Sequence, residues 1–247
     1  MKQSMRKFLF FALVMTAFAL SSCRHDTNGY LRLQLNPMFG SNPMRLKTTY
    51  QSPDGRYYYF SRYQMFLSHI KLIRTDGSSV EVSPLVYFGL NDSSSVTPIV
   101  TITNPTGTFT AVQFSIGVDS IQENATESSD PNNPQFADND MYWGTFLQYV
   151  FVKMEGAADT VTPPIQSISY HIGTQPYYTT VTINKSFSTS ASTPTTLVLN
   201  ADFQKLFYGR SNTINILDPM QTFTNTTRYP TLAQKFIIDL QAIFSFK

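Results

Sequence analysis

The sequence predicts an all-β domain, an antiparallel β-sandwich or open barrel with a short C-terminal helix. Several segments alternate apolar and polar residues, which is the period of a strand with one buried face. The alternation is clearest at 31–35 and 112–118. Aromatic and charged residues each make up 14% of the chain, and this balance of many aromatic and few charged side chains is typical of extracellular and periplasmic β-proteins.

The remaining secondary structure follows from the same patterns. Further strands are predicted at 57–60, 66–74, 165–172, 181–184 and 196–203. The hairpin signal Asp76-Gly77 joins 66–74 to a return strand beginning at Val80. Proline and glycine predict a loop at 36–54, and 119–140 is a long polar segment. The spacing of Leu232, Phe236, Leu240 and Phe244 predicts the C-terminal helix, and a short helix is expected near 203–207.

The stretch 138–156 contains the only tryptophan of the chain, Trp143. It begins with the turn-prone Asp138-Asn139-Asp140 and ends with Glu155-Gly156. The dense aromatic run between them predicts a buried strand with turns at both ends. We therefore expect Trp143 to be buried, or nearly so, against aromatic side chains of other strands.

The first residues predict an export signal and a lipid anchor. A basic start precedes an apolar run at 8–20, which is shorter than the roughly 20 residues that a membrane-spanning helix needs. The run ends in Leu20-Ser21-Ser22-Cys23, which resembles a bacterial lipobox. We therefore predict a signal peptide at 1–22, a lipidated tether at 23–29 that begins with Cys23, and one domain at 30–247. As the only cysteine, Cys23 excludes a disulfide within the chain.

Charge and motifs exclude several classes of function. The formal net charge of +2 becomes −1 when the three basic residues of the predicted signal peptide are removed, so no basic surface for nucleic acid is expected. No nucleotide-binding glycine loop, nucleophile elbow or H-E-x-x-H motif occurs. Asp138, Asp140 and Glu155 are expected to cap turns, because spacing alone cannot place two carboxylates across a substrate. We therefore predict that the chain is not an enzyme.

Four segments, at 63–72, 114–119, 140–156 and 170–173, resemble the MbnP-like family of bacterial proteins in their order and spacing. That family is named after a periplasmic copper-binding protein of methanotrophs, and the resemblance extends over most of 28–247. The lipobox and the aromatic-rich composition are similar to those of Bacteroidetes lipoproteins that carry this domain. The resemblance implies a β-fold in the cell envelope.

The resemblance also implies copper, bound by histidines and, in some members, beside an oxidatively modified tryptophan. Imidazole, thiolate and thioether groups are the ligands that copper prefers. His69, His171 and Trp143 are the candidate metal-site residues, because His25 lies two residues from Cys23 on the predicted tether. From the residues alone the alternative stays open: Trp143 can be a core anchor, and both histidines can be hydrogen-bonded structural residues.

Two functions are therefore carried forward. The first is a lipid-anchored cell-envelope binding protein with copper as its candidate ligand, placed at the outer membrane on its periplasmic or surface face. The second is a lipoprotein binding module without metal, for a glycan, a peptide or a protein partner. In the second case the aromatic segments Tyr57-Tyr58-Tyr59 and Tyr177-Tyr178 would supply rigid contact area.

Overall fold

Two β-sheets pack face to face, as the alternating segments predict. The computed structural model describes residues 28–90, 99–120, 140–143, 148–159, 166–209 and 213–247. The predicted signal peptide, Cys23 and His25, and nearly all of the long polar segment before Asp140, lie outside the described residues.

The smaller sheet is built around β1 (Asn28–Phe39). This strand pairs in parallel with β11 (Thr195–Asp202) and antiparallel with β6 (Ile99–Pro105) and β2 (Asn42–Pro43). β13 (Phe244–Phe246) adds to the far edge of β11. As predicted, the inward face of β1 buries Leu31, Leu33 and Leu35.

The larger sheet is built around β4 (Tyr57–Arg74), which is 18 residues long. One edge of β4 pairs with β3 (Thr49–Gln51) and β5 (Ser79–Leu90), and the other edge with β8 (Val150–Ala158) and β7 (Gly107–Ile116). Beyond these strands the sheet continues with β10 (Thr179–Thr189), β9 (Gln166–Gly173) and β12 (Phe223–Thr224).

Two helices follow the last long strand. They are α1 (Gln204–Phe207) and α2 (Pro230–Gln241), and single 3₁₀ turns lie at Gln175–Tyr177 and Pro219–Gln221. The predicted face of α2, with Leu232, Phe236 and Leu240, is buried. No helix in the described part of the chain is long and apolar enough to cross a membrane.

Aromatic rings fill the space between the sheets. The ring centroids of Phe39 of β1 and Tyr58 of β4 are 5.2 Å apart. Those of Phe114 of β7 and Phe244 of β13 are 5.5 Å apart, and these two rings pack edge to face. Such aromatic pairs add to the free energy gained from burying their large apolar areas. The many phenylalanine and tyrosine residues therefore form the core of the sandwich.

Residues 57–74 form one strand, whereas the sequence predicted two. The inward positions along it switch parity twice, from Tyr58 and Phe60 to Tyr63, Met65 and Leu67, and then to Ile70 and Leu72. The pairing register shifts at both switches, and His69 has a positive φ of 49° at the second. A one-residue bulge moves every following side chain to the opposite face, so no simple period of two could describe this strand.

Two other local predictions were wrong. The predicted loop at 36–54 instead contains the end of β1 and the short strands β2 and β3. Phe244 lies in β13, because α2 ends at Gln241. The sandwich is predominantly antiparallel, as predicted, and two strand pairings within the described residues, β1 with β11 and β9 with β12, are parallel.

The stretch 138–156 was also predicted incorrectly in part. Its strand, β8, begins only at Val150, and Tyr149 pairs back onto Tyr142 through an isolated antiparallel bridge. Gly156 is no turn but lies within β8, where an added Cβ would come within 2.0 Å of the carbonyl oxygen of Tyr59.

β1 begins at Asn28, two residues before the predicted start of the domain.

Candidate functional site around Trp143

The outer face of the larger sheet carries a cluster of polar side chains where β4, β8 and β9 lie side by side. Two cross-strand rows form it: Gln64, Lys153 and His171, and Arg62, Glu155 and Ser169. The row between them, Tyr63, Met154 and Tyr170, points inward and is fully buried. Alternation along the three strands thus separates an apolar core face from a polar outer face.

The segment 140–143 lies over this cluster. Its backbone is held to the chain that precedes β8, because the amide of Trp143 donates to the carbonyl of Gln148 and the amide of Val150 donates to the carbonyl of Met141. Asp140 adopts a positive φ of 50°, a conformation that aspartate tolerates better than most residues. These bonds place the Asp140 carboxylate and the Trp143 indole above the sheet.

Asp140 joins three side chains of the sheet. Its carboxylate lies 2.5 Å from Nη1 of Arg62, 3.0 Å from Nε2 of Gln64 and 3.2 Å from Nζ of Lys153. Partial burial opposes ionisation of Asp140, but these donors and the two cations outweigh it, so the pKa of Asp140 is lowered. Arg62 also approaches Glu155 at 3.4 Å. The cluster therefore balances two cations against two carboxylates.

Lys153 is the most enclosed charge of the cluster. It is 3% exposed, and its ammonium group donates to the backbone carbonyl of Asp140 at 2.8 Å. The ammonium nitrogen also lies 5.5 Å from the ring centroid of Trp143, within the range of a cation–π contact. A buried lysine is stabilised only when it is paired and hydrogen-bonded, and both conditions are met here.

Trp143 is partly buried, where the sequence predicted it to be buried or nearly so. Its main ring neighbour is His171, which it meets edge to face with centroids 5.0 Å apart. The indole packs on the outer face of the sheet, against His171 and Lys153.

His171 is held by a carboxylate. Its Nε2 lies 2.7 Å from Oε1 of Glu155 and 3.3 Å from the hydroxyl of Ser169. Burial lowers the pKa of His171, the nearby cations lower it further, and Glu155 offsets only part of this effect. At neutral pH the ring is therefore uncharged, with its proton on Nε2 directed at Glu155 and a lone pair on Nδ1. Within the described residues no hydrogen bond to Nδ1 is present.

His69 belongs to a different cluster. It lies five residues along β4 from Gln64, about 17 Å at the rise of a strand. Its Nδ1 is 2.9 Å from the Glu81 carboxylate, and its Nε2 contacts the Asp119 carboxylate. Burial lowers the pKa of His69, but the two carboxylates outweigh that effect, so the pKa is raised. Because carboxylates face both nitrogens, the ring is held as an imidazolium.

The structure thus brings two of the three predicted site residues together, Trp143 and His171, and leaves His69 apart. No three His, Cys, Asp or Glu side chains in the described ranges are placed to hold one metal ion. The two carboxylates that contact His69, those of Glu81 and Asp119, face different nitrogens of its ring. They therefore cannot bind one metal ion together with it. His171 fits copper in one respect, since metal-bound histidines usually donate their second nitrogen to a carboxylate, as it does to Glu155.

The aromatic segments of the alternative function are mostly structural. In Tyr57-Tyr58-Tyr59 the first ring is 48% exposed, whereas the second is 2% exposed and packs in the core. Tyr177 is buried, and the hydroxyl of Tyr178 is hydrogen-bonded to Ser68. These segments leave one well-exposed ring, at Tyr57, not a continuous aromatic surface.

A family model described as MbnP matches residues 28–227. The chain belongs to the MbnP family. Among solved structures it is similar to MbnP from Methylosinus trichosporium, with a TM-score of 0.50 and 9% sequence identity over 72% of this chain and 77% of that chain. At this identity the likeness shows the shared fold alone. No curated protein matches the chain.

The MbnP family is linked to copper binding, and this fits the resemblance found in the sequence. Sequence reasoning missed the partners that hold the site together, Arg62, Gln64 and Lys153. One signal was present: Lys153 interrupts an otherwise apolar run, Tyr149–Met154, and a lysine in a buried strand usually has a fixed partner.

Proposed function

We propose that this MbnP-family chain is a lipid-anchored binding protein of the bacterial cell envelope, and that it binds a copper ion at His171 beside Trp143. The observation that carries the proposal is that the His171 ring contacts both the Glu155 carboxylate and the Trp143 indole. Glu155 fixes the ring through Nε2, so that Nδ1 keeps its lone pair next to Trp143. The protein is proposed to act as a binding protein, not as an enzyme.

The other residues of the cluster prepare His171 for this role. Lys153 and Arg62 hold Asp140, and through it the segment that carries Trp143. Burial lowers the pKa of His171 and their positive charges lower it further, so that protons compete weakly with a metal ion for Nδ1 at neutral pH. The two carboxylates of the cluster offset the charge of both cations and limit their repulsion of copper.

Metal binding is tested on purified mature protein by metal analysis and by titration against a Cu(I) chelator of known affinity. We expect one copper ion per chain, and His171→Gln to lower the affinity at least tenfold, because the imidazole supplies the principal ligand. His69→Gln is the matched control and should retain the wild-type affinity. If the two variants behave alike, or wild type binds no copper, the second function, a non-metal module for a glycan, peptide or protein, becomes the better proposal.

The lipid anchor rests on the Leu20-Ser21-Ser22-Cys23 motif and is tested separately. Cys23→Ala should leave the precursor unprocessed or move the protein out of the membrane fraction. Two lipid chains or more anchor a protein firmly, at about 0.8 kcal/mol for each buried CH₂. Normal processing with full membrane retention in the variant would contradict the anchor and the proposed outer-membrane location.

A further inference from the structure

A cavity of about 440 Å³ lies between the 3₁₀ turn Pro219–Gln221 and the first turns of α2. This size falls in the range of small-molecule sites. Its walls are Met220, Gln221, Tyr229, Pro230, Thr231, Leu232 and Lys235. None of these residues belongs to the Trp143 cluster.

The cavity combines an apolar side with a fixed polar end. Of its lining residues, Leu232 is buried and Met220 is 53% exposed. Gln221 forms the polar end and is held in place: its side-chain oxygen accepts from the amide of Asn215, its side-chain nitrogen donates to Asp218, and its backbone carbonyl accepts from Tyr170. The polar end is therefore organised before any ligand enters.

Lys235 brings a positive charge to this polar end. Its ammonium nitrogen donates to the side-chain oxygen of Gln221 at 3.0 Å, which is a neutral acceptor. Among the described residues no carboxylate lies within ion-pair distance of Lys235. The nearby carboxylate, Asp218, accepts from the Gln221 amide nitrogen and interacts with Lys235 through their charges without forming an ion pair. The Cζ atom of a second cation, Arg228, lies 5.3 Å from the centroid of the Tyr229 ring.

We propose that this cavity binds a small organic carboxylate with an apolar body. The carboxylate accepts hydrogen bonds from the Lys235 ammonium, and the body packs against Leu232, Met220 and the Tyr229 ring. One ammonium group matches a single negative charge, and charge-assisted hydrogen bonds are the strong ones in such sites. The inference does not depend on copper at His171.

The test uses para-trifluoromethylbenzoate as the probe and para-trifluoromethylbenzamide as its neutral analogue, each titrated into the full mature protein and followed by fluorine NMR. We expect the benzoate to bind more tightly than the benzamide. Lys235→Gln should weaken benzoate binding about tenfold and leave benzamide binding unchanged. Lys205→Gln, a lysine on α1, is the matched control and should change neither.

A second variant locates the binding. Thr231→Trp places a large side chain at the cavity wall and should weaken both probes. The proposal is overturned if the benzoate does not bind wild type, if Lys235→Gln leaves its affinity unchanged, or if Thr231→Trp affects neither probe. Chemical shifts of the folded protein, recorded for each variant, confirm that lost binding is not lost structure.

Discussion

Raising the pH is expected to weaken the link that His69 makes between three parts of the fold. The imidazolium of His69, on β4, contacts Glu81 of β5 and Asp119, which follows β7. Because the pKa of His69 is higher in the folded than in the unfolded state, the folded state binds more protons in the window between the two values. The free energy of unfolding should therefore fall as the pH rises.

The size of the effect follows from the exposure of the contacts. Hydrogen bonds to charged groups contribute about 1.5–3 kcal/mol when buried, but exposed ion pairs contribute only about 0.2–1 kcal/mol. The side chains of His69, Glu81 and Asp119 are 32%, 38% and 19% exposed, so both contacts are partly solvated and belong near the lower range. We expect a total of about 1 kcal/mol, fully present below the unfolded pKa of about 6.5 and lost as the pH rises through the higher folded value.

Urea unfolding of wild type and His69→Gln, measured at a series of pH values from about 5.5 to 8.5, gives the assay. Wild type should lose about 1 kcal/mol more than the variant across this range, since glutamine keeps polar contacts but does not titrate. The His171→Gln variant tests the opposite dependence of stability on pH. The pKa of His171 is lowered, so its contribution is present above the unfolded pKa and is lost as the pH falls. Parallel pH profiles for wild type and His69→Gln would refute the reasoning.

Four further variants test the packing, three of them around the site. Gly156→Ala should destabilise the fold by about 3 kcal/mol, because the added Cβ meets a backbone carbonyl. Gly77→Ala is the control: the space around it is open and φ is 82°, so it should destabilise the fold by only about 1 kcal/mol. Denaturant unfolding curves of the two variants give the comparison. Lys153→Met should cost about 1–3 kcal/mol and shift the emission of the sole tryptophan, and unchanged emission would count against the cation–π contact. Trp143→Phe should cost about 1–2 kcal/mol in thermal unfolding, since the indole is only partly buried, and a loss above about 4 kcal/mol would show that it is a core residue after all.

Much of the fold could be predicted because it depends on local patterns. The alternation of Leu31, Leu33 and Leu35 identifies the buried face of β1, and the spacing of Leu232, Phe236 and Leu240 identifies that of α2. Pairing order could not be predicted in this way. The parallel neighbours β1 and β11 are more than 150 residues apart in sequence, and nothing in either strand specifies the direction of its partner.

At the candidate site, too, local sequence patterns could not predict which residues meet in space. Trp143 and His171 were singled out because the family resemblance implies copper bound by histidines and, in some members, beside a tryptophan, and the two rings do lie in contact. His69 was singled out for the same reason but lies five residues further along β4 than Gln64, where it contacts Glu81 and Asp119. Residue type thus identifies candidates, while strand register decides which of them meet.

Register also accounts for the partners that residue type did not reveal. Gln64, Lys153 and His171 come from three strands and form one row only because β4, β8 and β9 pair at those positions. A one-residue slip of β9 would turn His171 into the core and bring Tyr170 to the outer face. The site therefore depends on Gly156 and Gly173, where β8 closely approaches the backbones of β4 and β9 and an added Cβ would meet a carbonyl oxygen at 2.0 Å and 2.5 Å. Both glycines keep these strands close enough to hold the register that brings His171 to Trp143.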